Sequence, residues 1–220
     1  MLLVYRDTLG LGTGTLEAMF GFYALGLIPG LLLAGPVSDA LGRRKVVIPA
    51  AGLSLVASTV LVAGAHSVAL LFVGRLLAGV SSGAVFAAGT AWVRELSVAP
   101  VGTASPNGAA RRAAIAMTAG FSLGPLVAGV LAQWAPASRT VPYLPHIALM
   151  AVMLPSLLNV PETVSGSRRH AVRLAVPGVR GPRFRLVVAP MAPWAFAAPR
   201  SRLRYCRASL APSTPPRASP

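Results

Sequence analysis

Five long apolar blocks constrain most strongly what this chain can fold into. They cover residues 16–37, 46–65, 68–93, 113–135 and 141–160. A membrane hydrocarbon core needs roughly 20 residues of helix to cross it, and each block reaches that length. The sequence therefore predicts an all-α integral membrane fold with about five transmembrane helices.

Composition argues against the alternative that these blocks are buried helices of a soluble protein. Hydrophobic residues make up 55% of the 220 residues, charged residues 11%, and the mean hydropathy is +0.67. Soluble proteins combine buried helices with amphipathic ones rich in Glu and Lys, whereas this chain has one lysine, Lys45, and five acidic residues. Lipid is therefore the better solvent for these helix faces.

Basic residues are concentrated in alternate loops. Within residues 1–163 they lie mainly after the first and third blocks, at Arg43, Arg44, Lys45, Arg94, Arg111 and Arg112. By the positive-inside rule these loops and the C-terminal tail are cytoplasmic in a multi-pass protein of the cell membrane. Residues 1–15 would then lie outside with no helix before them, so we expect a further span upstream, of which residues 1–5 would be the last turn.

The loop after the first block has the most specific pattern, GPVSDALGRR at residues 35–44. Gly35 and Gly42 permit a tight reversal, and Asp39 can accept hydrogen bonds from amides at a helix start. Arg43 and Arg44 hold the loop in the cytoplasm. An ordinary short basic loop would explain the two arginines but not the aspartate and glycines at these spacings.

This pattern resembles the signature of the major facilitator superfamily, G-x-L-(A/S)-D-(R/K)-x-G-(R/K)-(R/K), which lies between helices two and three. Val37 and Ala40 depart from it. The resemblance implies a secondary transporter built from two six-helix halves. The five blocks would be helices two to six of the N-terminal half, a partial bundle over residues 1–163.

Arg75 lies inside the third block, where an arginine costs about 2.5 kcal/mol or more to insert. Gly79 and Gly83 follow at i+4 and i+8, so the three share a face that a neighbouring helix can approach closely. The segment resembles the R-x-x-Q-G motif of the family's fourth helix, with Ala78 for glutamine, which implies a part in proton coupling. The alternative is an arginine that snorkels from the outer end of the helix.

The fourth block has Gly120, Gly124, Pro125 and Gly129 at the spacing of the fifth-helix motif G-x-x-x-G-P-x-x-G-G. That motif is typical of the family's drug and proton antiporters. The glycines predict a helix-packing face and the proline a bend that serves as a hinge, although small-residue packing alone would explain the glycines equally well.

Two further features concern the ends of the spans. The sequence Pro161-Glu162-Thr163 after the fifth block resembles the Pro-Glu-Thr that often closes the family's sixth helix. Asp39 and Arg94 both lie at cytoplasmic ends of spans that are neighbours in the family fold. We therefore predict that these two residues form an ion pair that braces the inward face.

The tail, residues 164–220, has eleven arginines and no acidic residue, and prolines interrupt it throughout. This composition predicts that the tail is a disordered basic segment. We interpret its composition as a shifted reading frame; a genuine tail that binds anionic lipid headgroups or RNA is the alternative.

The predicted function is transport across the membrane, namely proton-coupled efflux of drugs or small metabolites by a truncated chain. The partners would be the lipid bilayer, protons, a small-molecule substrate, and a second half-transporter or a second copy, with no nucleic acid. The alternatives are a non-transporting remnant or accessory subunit and, within transport, a sugar or nutrient porter. We expect no enzyme, cofactor or metal, because neither a catalytic pattern nor ligand spacing around His66, His146 or the single Cys206 is present.

Overall fold

The computed structural model describes residues 10–164 and Leu186. Within residues 10–164 it contains five main helices: α1 (Thr13–Leu41), α2 (Arg43–Ala63), α3 (Val68–Ser97), α4 (Pro106–Trp134) and α5 (Leu144–Leu157). Short 3-10 turns, Gly64–His66 and Val141–Tyr143, precede α3 and α5. The predictions that concern residues 1–5 and the tail from residue 165 lie outside the described residues, apart from Leu186.

The all-α membrane fold is confirmed. Helices α1 to α4 are each long and apolar enough to cross a membrane. The fifth block forms a shorter apolar helical stretch, Val141–Leu157, which rises about 25 Å at 1.5 Å per residue. Prolines explain its limited length, because Pro142 lies in the 3-10 turn before it and Pro161 follows the turn at residues 158–160 after it.

Helix α1 packs most extensively against α3, through glycines on both helices. A Cβ atom added at Gly26 or Gly30 of α1 would meet the carbonyl oxygens of Leu76 or Val80. Added at Gly79 of α3, it would meet the carbonyl oxygen of Tyr23. The two backbones therefore touch directly, which is the close approach that small residues at i and i+4 allow in lipid.

Helix α3 is not uniformly α-helical. Its α-helical parts, Val68–Ala84 and Thr90–Ser97, are joined by a π turn at Val85–Gly89. Within this turn the Thr90 hydroxyl donates to the Phe86 carbonyl, four residues earlier, at 2.6 Å.

Helix α4 has little contact with the other described helices. It touches the last part of α3, the turn Val141–Tyr143 and, through Phe121, the ring of Phe86 at 5.2 Å between centroids. A Cβ atom at Gly120, Gly124 or Gly129 would meet nothing within 4 Å. The glycine face predicted for this helix, with Pro125 on it, therefore has no packing partner among the described residues.

Two small apolar clusters mark the ends of the bundle. Leu16, Met19, Leu61 and Leu71 pack together near the Gly64–His66 turn, which we call the His66 end. Val47, Ala88 and Trp92 pack together, with Leu157 and Val160 against them, near the start of α2. We call this second region the Arg43 end.

Candidate functional site: an ion-paired cluster at the Arg43 end

A single residue, Gly42, connects α1 to α2. Its φ is +112°, a backbone conformation that residues with a side chain rarely adopt. A Cβ atom here would also meet the Glu162 carboxylate. Both the turn and the close carboxylate therefore require glycine at this position of the GPVSDALGRR loop.

Arg43 is the centre of the cluster and only 9% exposed. Its Nη1 lies 2.5 Å from Asp39 Oδ1 and 2.6 Å from Ser38 Oγ. Its Nη2 and Nε lie 2.8 Å and 3.1 Å from Glu95 Oε1. The guanidinium fork thus pairs with the end of α1 on one side and with α3 on the other, a planar arrangement that a lysine could not reproduce.

Glu162 closes the same cluster from the segment that follows α5. Its carboxylate accepts hydrogen bonds from the backbone N–H groups of Arg43 at 2.9 Å and Arg44 at 3.0 Å. Helix α2 has no side-chain cap at its own N-cap residue. Glu162 therefore satisfies two of the N–H groups that every helix start leaves free, and its negative charge lies at the positive end of the α2 dipole.

Three more hydrogen bonds hold this segment in place. Thr163 Oγ1 donates to Glu95 Oε2 at 2.5 Å, Trp92 Nε1 donates to the Pro161 carbonyl at 3.2 Å, and Arg44 Nη2 donates to the Leu158 carbonyl. The cluster consequently ties together α1, α2, α3 and the chain that leaves α5.

The structure corrects the predicted Asp39–Arg94 pair. Asp39 pairs with Arg43, four residues further along the chain, and the acidic partner from α3 is Glu95 rather than a basic one. Neighbouring residues on a helix point about 100° apart, so when Glu95 faces Arg43 its neighbour Arg94 points elsewhere. Sequence reasoning placed the right helix ends together but assigned the wrong residues.

Two further loop expectations are corrected. Gly35 lies inside α1 rather than in a reversal, so Gly42 alone turns the chain. Gly35 has open space around it, and its carbonyl accepts from Ser38 Oγ at 2.8 Å. The amides at the start of α2 donate to Glu162 and not to Asp39.

Sequence reasoning also missed three members of the cluster. Glu95 and Ser38 had no assigned role. The sequence indicates Glu162 only as part of the Pro-Glu-Thr pattern; the available signal is an acidic residue beside a proline just after a helix.

Arg75 lies in the half of α3 that is nearer the His66 end. Its Nε atom is buried and has no hydrogen-bond partner within the part of the chain that the structure describes. A buried donor without a partner costs about 1–3 kcal/mol. Arg75 is therefore a cation in the membrane-spanning part of α3, and the described residues do not satisfy all of its hydrogen-bond donors.

Replacement of Glu162 by Gln tests the cap on α2. We expect faster amide hydrogen exchange at Arg43 and Arg44, by about fivefold, because loss of a helix cap typically costs about 1 kcal/mol. The matched control is Glu17→Gln at the exposed start of α1, which should leave both amides unchanged. Unaltered exchange in Glu162→Gln would show that this carboxylate does not cap α2.

An all-α bundle with spanning apolar helices, closed at one end by ion pairs between helix ends, defines a multi-pass membrane protein. The chain belongs to the Major Facilitator Superfamily, whose family model matches residues 1–205. It is 36% identical over 80 residues to the multidrug resistance protein MdtL of Escherichia coli O45:K1, and this aligned region covers 36% of this chain and 20% of that protein. It is 33% identical over 87 residues to MdtL of Klebsiella pneumoniae, and this aligned region covers 40% of this chain and 22% of that protein. The chain thus spans about a fifth of the length of these curated relatives, and no solved structure matches it.

Proposed function

We propose that this chain supplies helices two to six of a proton-coupled efflux transporter for drugs or small metabolites. The observation that carries the proposal is the Arg43 cluster, which joins the ends of three helices and the segment after α5 within a chain of this family. The printed name of its relatives, multidrug resistance protein, favours drugs as the substrate class.

The Arg43 cluster would act as a closable brace. Its pairs are charged and lie at the edge of the bundle, so they can exchange protein partners for water when the helix ends separate. We propose that the Arg43 end faces the cytoplasm, since Arg44 and Lys45 lie beside it and Arg94 lies in the last turn of α3. Intact pairs would then hold this end closed, and their separation would open it.

Arg75 would take part in proton coupling at the other half of α3. An arginine stays protonated at physiological pH, so it cannot itself release the proton. We propose that its fixed positive charge favours the deprotonated form of the group that carries the proton. Its buried Nε, which has no hydrogen-bond partner among the described residues, supports such a role, because that donor can gain a partner only when the helices around it rearrange.

A complete substrate path would require a second half-transporter or a second copy of this chain. The exposed face of α4 supports this requirement, since Gly120, Gly124 and Gly129 have open space beside them. The same exposed face fits the alternative of an accessory subunit that associates with another membrane protein without transport of its own.

Dye transport into proteoliposomes tests the proposal. The full chain is reconstituted, a pH gradient is imposed, and movement of the cationic dye ethidium is followed with and without a protonophore. We expect gradient-dependent transport that falls about tenfold or more in Arg75→Gln, equivalent to 1.4 kcal/mol or more of barrier. Arg112→Gln, an exposed arginine in the first turns of α4, is the matched control and should transport normally.

The outcomes separate the alternatives. Absence of gradient-dependent transport by the reconstituted chain would contradict efflux by copies of this chain alone, and would favour an accessory role or a role only beside a separate half-transporter. Transport that is equal in Arg75→Gln and in the unchanged chain would retain efflux but remove Arg75 from coupling.

A further inference from the structure

A polar pair between α2 and α5 has no part in the cluster or in the proposed role of Arg75. Ser54 Oγ lies 2.9 Å from His146 Nε2, and both residues are partly buried. Ser54 is in the middle of α2, nine residues or about 13 Å beyond Lys45. A titratable side chain at this depth of an apolar bundle is costly to retain without a function.

We propose that His146 and Ser54 form a protonation site whose occupation loosens α5 from α2 and from the Arg43 end. The imidazole takes one proton from the aqueous phase and its charge rises by one. The Ser54 hydroxyl can donate to an unprotonated Nε2 or accept from a protonated one, so it remains a partner in both states.

Several features oppose a positive charge at this position. His146 is in the first turn of α5, where the helix dipole is positive, and it is partly removed from water. Among the described residues it forms no ion pair. The elements packed against α5 carry these titratable or charged groups: Tyr143 in the preceding turn, His66 beyond one end of α2, Arg43, Arg44 and Lys45 at its other end, and Arg75, Arg94 and Glu95 on α3. Glu95 is the one anion among these groups, and it is paired with Arg43 at the opposite end of α5 from His146. It therefore does not balance an imidazolium at His146.

Helix α5 connects this site to the Arg43 cluster. From His146 to Leu157 the helix rises about 16 Å. Leu157 and Val160 then pack beside Trp92, and Glu162 follows two residues later. A charge that pushes the start of α5 away from α2 therefore weakens the packing that positions the carboxylate cap on α2.

Trp92 reports on this connection because it is buried, 3% exposed, and hydrogen-bonded to the Pro161 carbonyl. With Trp134 and Trp194 replaced by Phe, the full chain in lipid nanodiscs has Trp92 as its single tryptophan. We expect a red shift of its emission on acidification, with a sigmoidal dependence between about pH 8 and pH 5, the range in which histidine changes charge. The shift should disappear in His146→Gln and persist in the double variant His66→Gln/His170→Gln.

Two results would overturn the proposal: a red shift that persists in His146→Gln, or one that disappears when His66 and His170 are replaced. If His146→Gln does not fold, Ser54→Ala decides the question. It should move the midpoint of the transition, whereas Ser58→Ala, one helical turn further along α2, should not. The site requires no transport by the chain, so its failure is distinct from a failure of the efflux proposal.

Discussion

The variant Gly79→Leu should lose most of the contact between α1 and α3. A Cβ atom at Gly79 already meets the backbone of Tyr23 and Leu27, which cannot move without shifting the whole of α1. Overpacking of this kind costs about 1–3 kcal/mol even when side chains can adjust, and here the obstacle is backbone. We expect a destabilisation of about 3 kcal/mol or more, measured by reversible unfolding of the chain in detergent or lipid.

Gly120→Leu is the matched control for this variant. The same residue type is introduced in a spanning helix, but the position has open space within 4 Å. It should change the unfolding free energy by less than about 1 kcal/mol, since leucine is also the better helix former. Equal destabilisation by the two substitutions would contradict the interlocked glycine contact between α1 and α3.

A double-mutant cycle between Arg43 and Glu95 should give the largest coupling energy at the Arg43 end. Three of the observed contacts join these two side chains, at 2.8, 3.1 and 3.3 Å, and the arginine is almost buried. Hydrogen bonds to charged groups contribute about 1.5–3 kcal/mol. Because Glu95 is about one-third exposed, we expect a coupling of about 1–2 kcal/mol from the unfolding of Arg43→Ala, Glu95→Ala and the double variant.

The Asp39–Arg94 pair provides the corresponding control cycle. Its members belong to the same helix ends, but the structure pairs Asp39 with Arg43 instead. Its coupling should therefore be within about 0.5 kcal/mol of zero. A larger coupling for Asp39 and Arg94 than for Arg43 and Glu95 would restore the pairing expected from sequence and contradict the observed cluster.

The membrane fold was readable from the sequence because lipid imposes a simple rule on length and polarity. The apolar blocks correspond to α1, α2 and α3 within four residues at each end, whereas α4 begins seven residues before its block. The sequence predicts too long a fifth helix, because the apolar residues of its block continue past Leu157, where the helix ends. Apolar character was a poor guide to the end of a helix where prolines lie nearby.

The site was only partly predictable, because a motif specifies residue types and spacing but not which side chains face each other. Gly42 and Arg43 were found from the loop pattern. Glu95 and Glu162 are 52 and 119 residues away from Arg43, and their approach depends on how α3 and α5 dock. The Ser54–His146 pair was missed for the same reason, since no local pattern links residues 92 positions apart.

Accessibility of Ser38 tests the central claim most directly, namely that the Arg43 cluster holds this end of the bundle closed. Ser38 is fully buried beside Arg43. With Cys206 replaced by Ser, a Ser38→Cys thiol should react slowly with a membrane-impermeant maleimide. The further replacement Glu95→Ala should speed the reaction about tenfold or more, because it lowers by about 1.4 kcal/mol or more the free energy that favours the closed arrangement of the helix ends. Leu41→Cys, 58% exposed, gives the rate for an open position. The claim would be contradicted if the Ser38→Cys thiol reacts as fast as the Leu41→Cys thiol, or if its reaction rate does not change in Glu95→Ala.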